Sequence, residues 1–236
     1  TPRHAAETAV GAFHKLDLPD GSIAQLNTDS AIDTTFTPAE RRVRVVRGEV
    51  FFTVTHDPAR PFIVTAGPVA IRAVGTAFNV RQRDAAVEVL VTEGRVRVDD
   101  AQRGLPLLAA PATAPAETPR LVAGERAVFA LTARRAAAPV PAVAAVERVS
   151  APDVQRTLAW QERRLEFDAA PLHEVVAEFN RYNRRQLVIA DPALAARRFS
   201  GKFRADGFEP FVRLLEQDFG IAATRGDREI VLRAAR

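Results

Sequence analysis

The stretch Arg41-Arg42-Val43-Arg44-Val45-Val46-Arg47-Gly48-Glu49-Val50-Phe51-Phe52-Thr53-Val54-Thr55 decides the fold class. Val43 and Val45 alternate with Arg42 and Arg44, the period-two pattern of a strand with one wet face. Gly48 interrupts the pattern, as a residue supplying positive φ in a tight turn would. Val50, Phe52 and Val54 then point one way, while Phe51 and Thr53 point the other. A strand with aromatic side chains on both faces is expected to be covered on both. Arg60-Pro61-Phe62-Ile63-Val64 and Ala73-Val74-Gly75-Thr76-Ala77-Phe78-Asn79-Val80 continue the extended pattern.

Upstream, Glu7–Val10 and Phe13–Asp17 read as short strands. Leu18-Pro19-Asp20-Gly21-Ser22 reads as a turn, with Pro presetting φ, Asp bonding its own backbone and Gly taking the left-handed position. Ile23–Leu26 and Ala31–Phe36 are strands around the turn Asn27-Thr28-Asp29-Ser30. Downstream, Ala86–Thr92 and Arg95–Val98 alternate on either side of Glu93-Gly94. This predicts a hairpin with valines inside and Glu88, Arg95 and Arg97 outside. Strands recurring every 8 to 12 residues or so, with no helical period through Val98, predict an all-β sandwich, barrel or irregular solenoid of short antiparallel strands. Val89 and Phe52 are expected in its core. Residues 104–120, with Pro106, Pro111, Pro115 and Pro119, read as a mobile hairpin loop. Leu121–Phe129 closes the β module, and Ala136–Val146 is a linker or an extended strand.

The period changes at Ser150. Ser150-Ala151-Pro152-Asp153 starts a helix reaching about Trp160. Leu172, Val175, Val176 and Phe179 fall at i, i+3, i+4 and i+7 of a helix begun by Pro171. Asp206 and Glu209 resemble a capping box before a second helix, which carries Phe208, Phe211, Val212, Leu215 and Phe219 and stops at Gly220. From Arg164 the predicted order is β-α-β-β-α-β-β, a compact α+β module. The expected division is an all-β domain over 1–132, a linker over 133–150 and an α+β module over 151–236.

Composition limits the chemistry. The 236 residues carry 33 basic and 29 acidic side chains, a net charge of only +4. Residues 1–150 hold 18 basic and 16 acidic groups, leaving 15 and 13 for the rest, so each part is +2 and neither points to nucleic acid. With no cysteine there is no disulfide scaffold, thiol nucleophile or thiolate zinc site. His4, His14, His56 and His173 lack metal-ligand spacing, so no metal is expected. There is no Gly-x-Ser-x-Gly elbow and no phosphate loop, so no cofactor or enzymatic activity is expected. Glu49 and Glu93 each adjoin a turn glycine, which suits hairpin chemistry better than acid–base work. No apolar run approaches the roughly 20 residues of a membrane span. With no methionine, the chain is expected to be a fragment or processed product, and any anchor is expected upstream of Thr1.

Several spaced motifs together resemble the FecR family: Leu18-Pro19-Asp20-Gly21-Ser22, Leu26–Ser30, Arg47–Val54, Arg60–Val64, Val74–Val80 and Val91–Val96. Trp160, Leu165-Glu166-Phe167 and Arg181-Tyr182-Asn183 resemble the family's C-terminal part, itself similar to the short domain at the N-terminus of secretins and TonB-dependent receptors. The segment 104–120 departs from the family pattern as an insertion. The resemblance implies the periplasmic region of an inner-membrane regulator of an extracytoplasmic-function sigma factor. It implies as partner the N-terminal signalling domain of a TonB-dependent outer-membrane receptor loaded with a ferric siderophore. A cytoplasmic segment, absent here, would hold the sigma factor. A glycan-binding or glycan-cleaving β protein and a secretin-like assembly module are the competing readings.

The α+β module has few strands and must leave edges that a partner strand can join. Arg198-Phe199-Ser200-Gly201-Lys202-Phe203-Arg204 is the expected docking edge, with Phe199 and Phe203 inward. Arg198, Ser200, Lys202 and Arg204 lie outward, and Gly201 allows close backbone approach. Glu229–Arg233 is the rival edge.

Overall fold

The computed structural model describes residues 3–109, 118–132, 140–141 and 144–235. It divides into two compact units, Thr1–Thr8 with Phe13–Val154, and Ala9–Ala12 with Gln155–Arg236.

The first unit is built on β1 (Arg3–Glu7), β2 (His14–Asp17), β3 (Ile23–Leu26), β4 (Ala31–Phe36), β5 (Arg41–Thr53), β6 (Phe62–Ala66), β7 (Val69–Ala73), β8 (Ala77–Arg83), β9 (Ala86–Glu93), β10 (Arg95–Asp100), β11 (Leu121–Val122), β12 (Glu125–Thr132), β13 (Val140–Pro141) and β14 (Val146–Arg148). The quoted stretch is its axis. Residues 41–47 of β5 pair with β4 and β6, while 48–53 pair with β3 and β8, so one strand serves both halves of the sheet. Gly48 sits at the changeover with φ +85°, but it does not turn the chain back as its sequence context suggests; β5 runs on through it. The register shifts between Ala31 and Ile32 opposite this point, so the strand bends as at a β-bulge. A Cβ at Gly48 would lie 2.3 Å from Ser30 Oγ, which leaves glycine as the residue that fits.

A second correction concerns β9 and β10. They do not pair with each other as a hairpin. β9 lies between β8 and β12, and β10 between β7 and β11, so the chain at Glu93-Gly94 crosses from one part of the sheet to another. The valines do point inward, since Val87, Val89, Val91, Val96 and Val98 are buried; Glu88, expected outside, is buried as well. The pairing of β5 with β6 is parallel, an exception to the expected antiparallel pattern. Val50, Phe51 and Phe52 are all buried, as the two-faced reading of this strand requires, and Phe52 rests 5.9 Å from Phe62 and 5.5 Å from Phe78 between ring centroids. Of the Pro/Ala-rich segment, residues 110–117 lie outside the described residues, while Leu107 and Leu108 join the core. Of 133–150, residues 133–139 and 142–143 lie outside them, and β13 and β14 both pair with β12.

Helix α1 (Ala151–Thr157) and a 3-10 turn (Ala159–Glu162) lead into β15 (Arg164–Pro171), α2 (Leu172–Tyr182), β16 (Gln186–Ile189), β17 (Arg198–Arg204), α3 (Glu209–Asp218), β18 (Ile221–Arg225) and β19 (Glu229–Ala234). The first helix is thus shorter than its sequence signal, giving way to the 3-10 turn before Trp160. The expected capping box is not formed either: Phe208 caps α3 with no side-chain bond, and Asp206 pairs with Arg204 instead. β15 and β17 form a two-stranded sheet; β16, β19 and β18 form a three-stranded one in that order. The core of this unit is aromatic. Phe179 stacks on Phe211 at 5.2 Å and meets Phe167 and Phe203 at 5.7 Å each, while Phe199 meets Phe219 at 4.8 Å.

Candidate functional site: an open strand edge

The polar residues of the first unit's motifs converge on two buried hydrogen-bond hubs. In one, the fully buried Arg41 donates from Nη1 to Asp20 Oδ2 at 2.7 Å and to the Thr55 carbonyl at 2.9 Å, and from Nε to the Arg60 carbonyl at 2.8 Å. Its guanidinium lies 5.4 Å from the Phe62 ring centroid. Asp20 also accepts from Ser22 Oγ and Ser22 N, holding the Leu18–Ser22 turn shut. In the other hub, the buried Glu49 accepts from Asn27 Nδ2 at 3.0 Å and Asn79 Nδ2 at 2.9 Å, while Ser30 Oγ bonds both its backbone groups. Glu49 is therefore the pin of three strands rather than part of a hairpin turn. Sequence reasoning missed both hubs, although Arg41 shares the parity of the inward Val43 and Val45. The hubs tie the turns and strands of this unit together through buried, charge-assisted hydrogen bonds.

A shallow groove of about 670 Å³ crosses the outer face of β1, β4, β5 and β6, lined by His4, Asp33, Thr35, Arg42, Arg44 and Thr65 among others. Its arginines are matched already, Arg42 by Glu40 and Arg44 by Asp33. Among the described residues no three His, Cys, Asp or Glu gather closely enough to hold a metal ion. His173 Nδ1 lies 3.0 Å from the Ala195 carbonyl, and His56 is packed against Gly75, where a Cβ would come within 2.6 Å of the ring nitrogen.

The second unit places the expected edge residues together on β17. Among the described residues β17 has β15 as its sole strand partner. The ladder fixes which groups face outward. Leu172 N bonds Arg197 O, Ala205 N bonds Arg163 O, and the register between these bonds runs Phe199–Ala170, Gly201–Phe167 and Phe203–Leu165. Antiparallel pairs alternate, so the N–H and C=O groups of Arg198, Ser200, Lys202 and Arg204 turn away from β15. The side chains of the same four residues are exposed and Phe199 is buried.

Side chains or a bulge occupy part of each of the other edges described in this unit. On β16, Asn180 of α2 bonds both backbone groups of Leu187, accepting from its N–H at 2.7 Å and donating to its C=O at 2.9 Å. On β18, the Ala223 N–H bonds the Glu216 carboxylate, which Arg225 also grips at 2.8 and 2.9 Å and holds below its usual pKa range. The far side of β15 is broken by a bulge between Phe167 and Ala170, with Ala169 at φ +48°. Glu229–Arg233, the rival edge in sequence, lies within β19 at the centre of its sheet. Gly201 also differs from expectation. Its missing side chain is not room for a partner, because a Cβ there would come within 2.8 Å of Phe203 Cε2.

Residues 4–97 match the FecR protein family. The matching segment thus contains both buried hubs, and the open edge lies outside it. Two crystal structures of an anti-sigma factor described as "putative", from Parabacteroides distasonis ATCC 8503, are similar over the whole chain. At 1.65 Å the identity is 22% and the TM-score 0.72, covering 99% of this chain and 100% of that one. At 2.50 Å they are 23% and 0.71, with full coverage of both. The likeness extends the shared fold to the second unit as well. No curated protein sequence matches.

In that second unit Arg181-Tyr182-Asn183 serves packing. Arg181 lies 5.4 Å over the Tyr182 ring, Tyr182 is buried, and Asn183 Nδ2 donates to the Phe179 and Ala205 carbonyls, tying α2 to the end of β17. Trp160 is buried too.

Proposed function

We propose that this chain is the periplasmic signal-receiving region of a transmembrane anti-sigma regulator. In this reading its partner is the N-terminal signalling domain of a TonB-dependent outer-membrane receptor, and the cue is a ferric siderophore. The match of residues 4–97 to the FecR family carries the proposal, supported by a fold shared along the whole length with a chain described as an anti-sigma factor. The sigma factor itself is held by a cytoplasmic segment of the whole protein, and this chain acts on it indirectly. It relays a binding event and has no catalytic role.

The docking edge in this reading is β17, at Arg198, Ser200, Gly201, Lys202 and Arg204. Strand addition offers a row of main-chain bonds to a partner and needs an unpaired edge. Calorimetry of the chain against the N-terminal domains of the organism's TonB-dependent receptors tests this. One domain is expected to bind, and Ser200→Pro, which removes an outward donor, is expected to abolish binding with the β module still folded. Lys202→Glu with Arg204→Glu is expected mainly to slow association and alter its salt dependence. If no receptor domain binds, the receptor assignment falls. If both variants bind with unchanged affinity, the edge assignment falls.

A further inference from the structure

The edge selects by charge as well as by shape. Resting on the docking role of β17, we infer that its partner is a β-strand carrying carboxylates at alternate positions. Side chains on one face of a strand recur every second residue, and those directly opposite on a neighbouring strand sit about 5 Å apart. A strand added to β17 therefore sets its own alternate residues against Arg198, Ser200, Lys202 and Arg204. Three of these four are cations.

The present counter-ions do not cancel that preference. Lys202 Nζ is 3.2 Å from Glu166 across the β15 ladder, and Arg204 Nη2 is 2.7 Å from Asp206 beyond the strand's end. Arg198 Nη1 donates to the Ala169 carbonyl at 2.6 Å, a neutral partner. The Lys202 and Arg204 side chains are 70% and 77% exposed. Exposed pairs of this kind are weak because water screens them, so either cation exchanges or shares its partner readily.

The same row argues against a second copy of this chain as the occupant. Antiparallel pairing of two β17 strands centred on Gly201 would set Arg198 against Arg204 and Ser200 against Lys202. Like charges directly opposite are destabilising, which keeps the open edge from joining itself.

The probe is a blocked nonapeptide of alternating glutamate and valine, compared with one of alternating lysine and valine, each added to the intact chain at up to millimolar concentration. Amide exchange is read by NMR at Ser200, Lys202 and Arg204, whose N–H groups face outward. The glutamate peptide is expected to slow exchange there and to lose about tenfold in affinity between low and high salt, as screening of exposed charges requires. The lysine peptide is expected to leave those amides unprotected. Lys202→Glu with Arg204→Glu is expected to reverse the preference. Equal protection by both peptides, protection by neither, or protection confined to Ile221–Arg225 overturns the inference. These outcomes separate from the function itself: a receptor domain that binds β17 while the glutamate peptide does not leaves the docking role standing and removes only the charge rule.

Discussion

The two units use their polar residues in opposite ways. In the first, Arg41 is fully buried beside Asp20, and Glu49 is buried under two asparagines. In the second, the polar residues of β17 stand exposed along an edge that no described strand covers. The richest motifs therefore mark the scaffold, whereas the candidate contact surface lies in a stretch of plain alternation. Spaced Asp, Asn, Ser and Gly recur where a turn must be closed or a strand bent, and that demand comes from folding rather than from a ligand.

The sharpest way to break this contrast is to compare neighbours. Arg41 and Arg42 adjoin in sequence, yet the Arg41 side chain is fully buried and that of Arg42 half exposed beside Glu40. Asp20→Ala removes the carboxylate of the buried pair and leaves the Arg41 charge uncompensated, which should cost about 3–5 kcal/mol. Arg42→Ala should cost under about 1 kcal/mol. Urea melts measure both. Equal, small losses would show that the Arg41 hub is not what pins the turn to the sheet.

Next in size is the apolar core of the same unit. Phe52→Ala and Val89→Ala each empty a site with no solvent exposure, and each should cost about 2–5 kcal/mol. Thermal melts check this, and an unchanged midpoint for either would remove that residue from the core.

Alternation by itself makes much of this architecture legible. It identifies the strands around Phe52 and Val89 and the inward face of Phe199. What it does not carry is pairing. Glu93-Gly94 between two alternating runs bears every local sign of a hairpin, yet β9 and β10 take different neighbours, because pairing is decided by strands far away in sequence. Gly48 misleads for a related reason. A positive φ serves a turn or a bulge equally well, and only the opposing register between Ala31 and Ile32 tells them apart. At the candidate site the outward cations are legible, but the partial occupation of the rival edges is not, since Asn180 reaches Leu187 from a helix and Glu216 reaches Ala223 from another.

Gly201 offers a smaller test within the second unit. Adding a methyl there drives a Cβ toward the Phe203 ring, whose neighbours Phe167, Phe179 and Phe211 leave it little room. Gly201→Ala should therefore destabilise this unit by about 1–3 kcal/mol through overpacking, with the outward row unchanged. A melt showing no loss would mean that the ring moves aside freely, and the aromatic cluster is then softer than its packing implies.

The smallest expected effect concerns the β18 edge, where a side chain occupies one outward amide. Arg225 grips Glu216 with two hydrogen bonds, and with the Ala223 N–H it holds that carboxyl below its ordinary value of 4.5. A group whose folded pKa is lowered adds stability above its unfolded pKa and loses it as pH falls through the folded value. Both side chains are about a third exposed, so solvent screening keeps the contribution near 0.5 kcal/mol. Wild type and Arg225→Ala should therefore differ by about that much at pH 7, and the gap should begin to close below about pH 4.5 as Glu216 protonates. Denaturant melts at pH 7 and pH 3 measure it, and a gap of the same size at pH 3 would assign the effect to packing of the Arg225 stem rather than to charge. Glu216→Ala bears on the contrast between open and partly occupied edges more directly. It frees the Ala223 N–H, so amide exchange at Ala223 should quicken toward the rate of the outward β17 amides. If that amide stays slow, some other group closes the β18 edge, and Glu216 is only a surface counter-ion to Arg225.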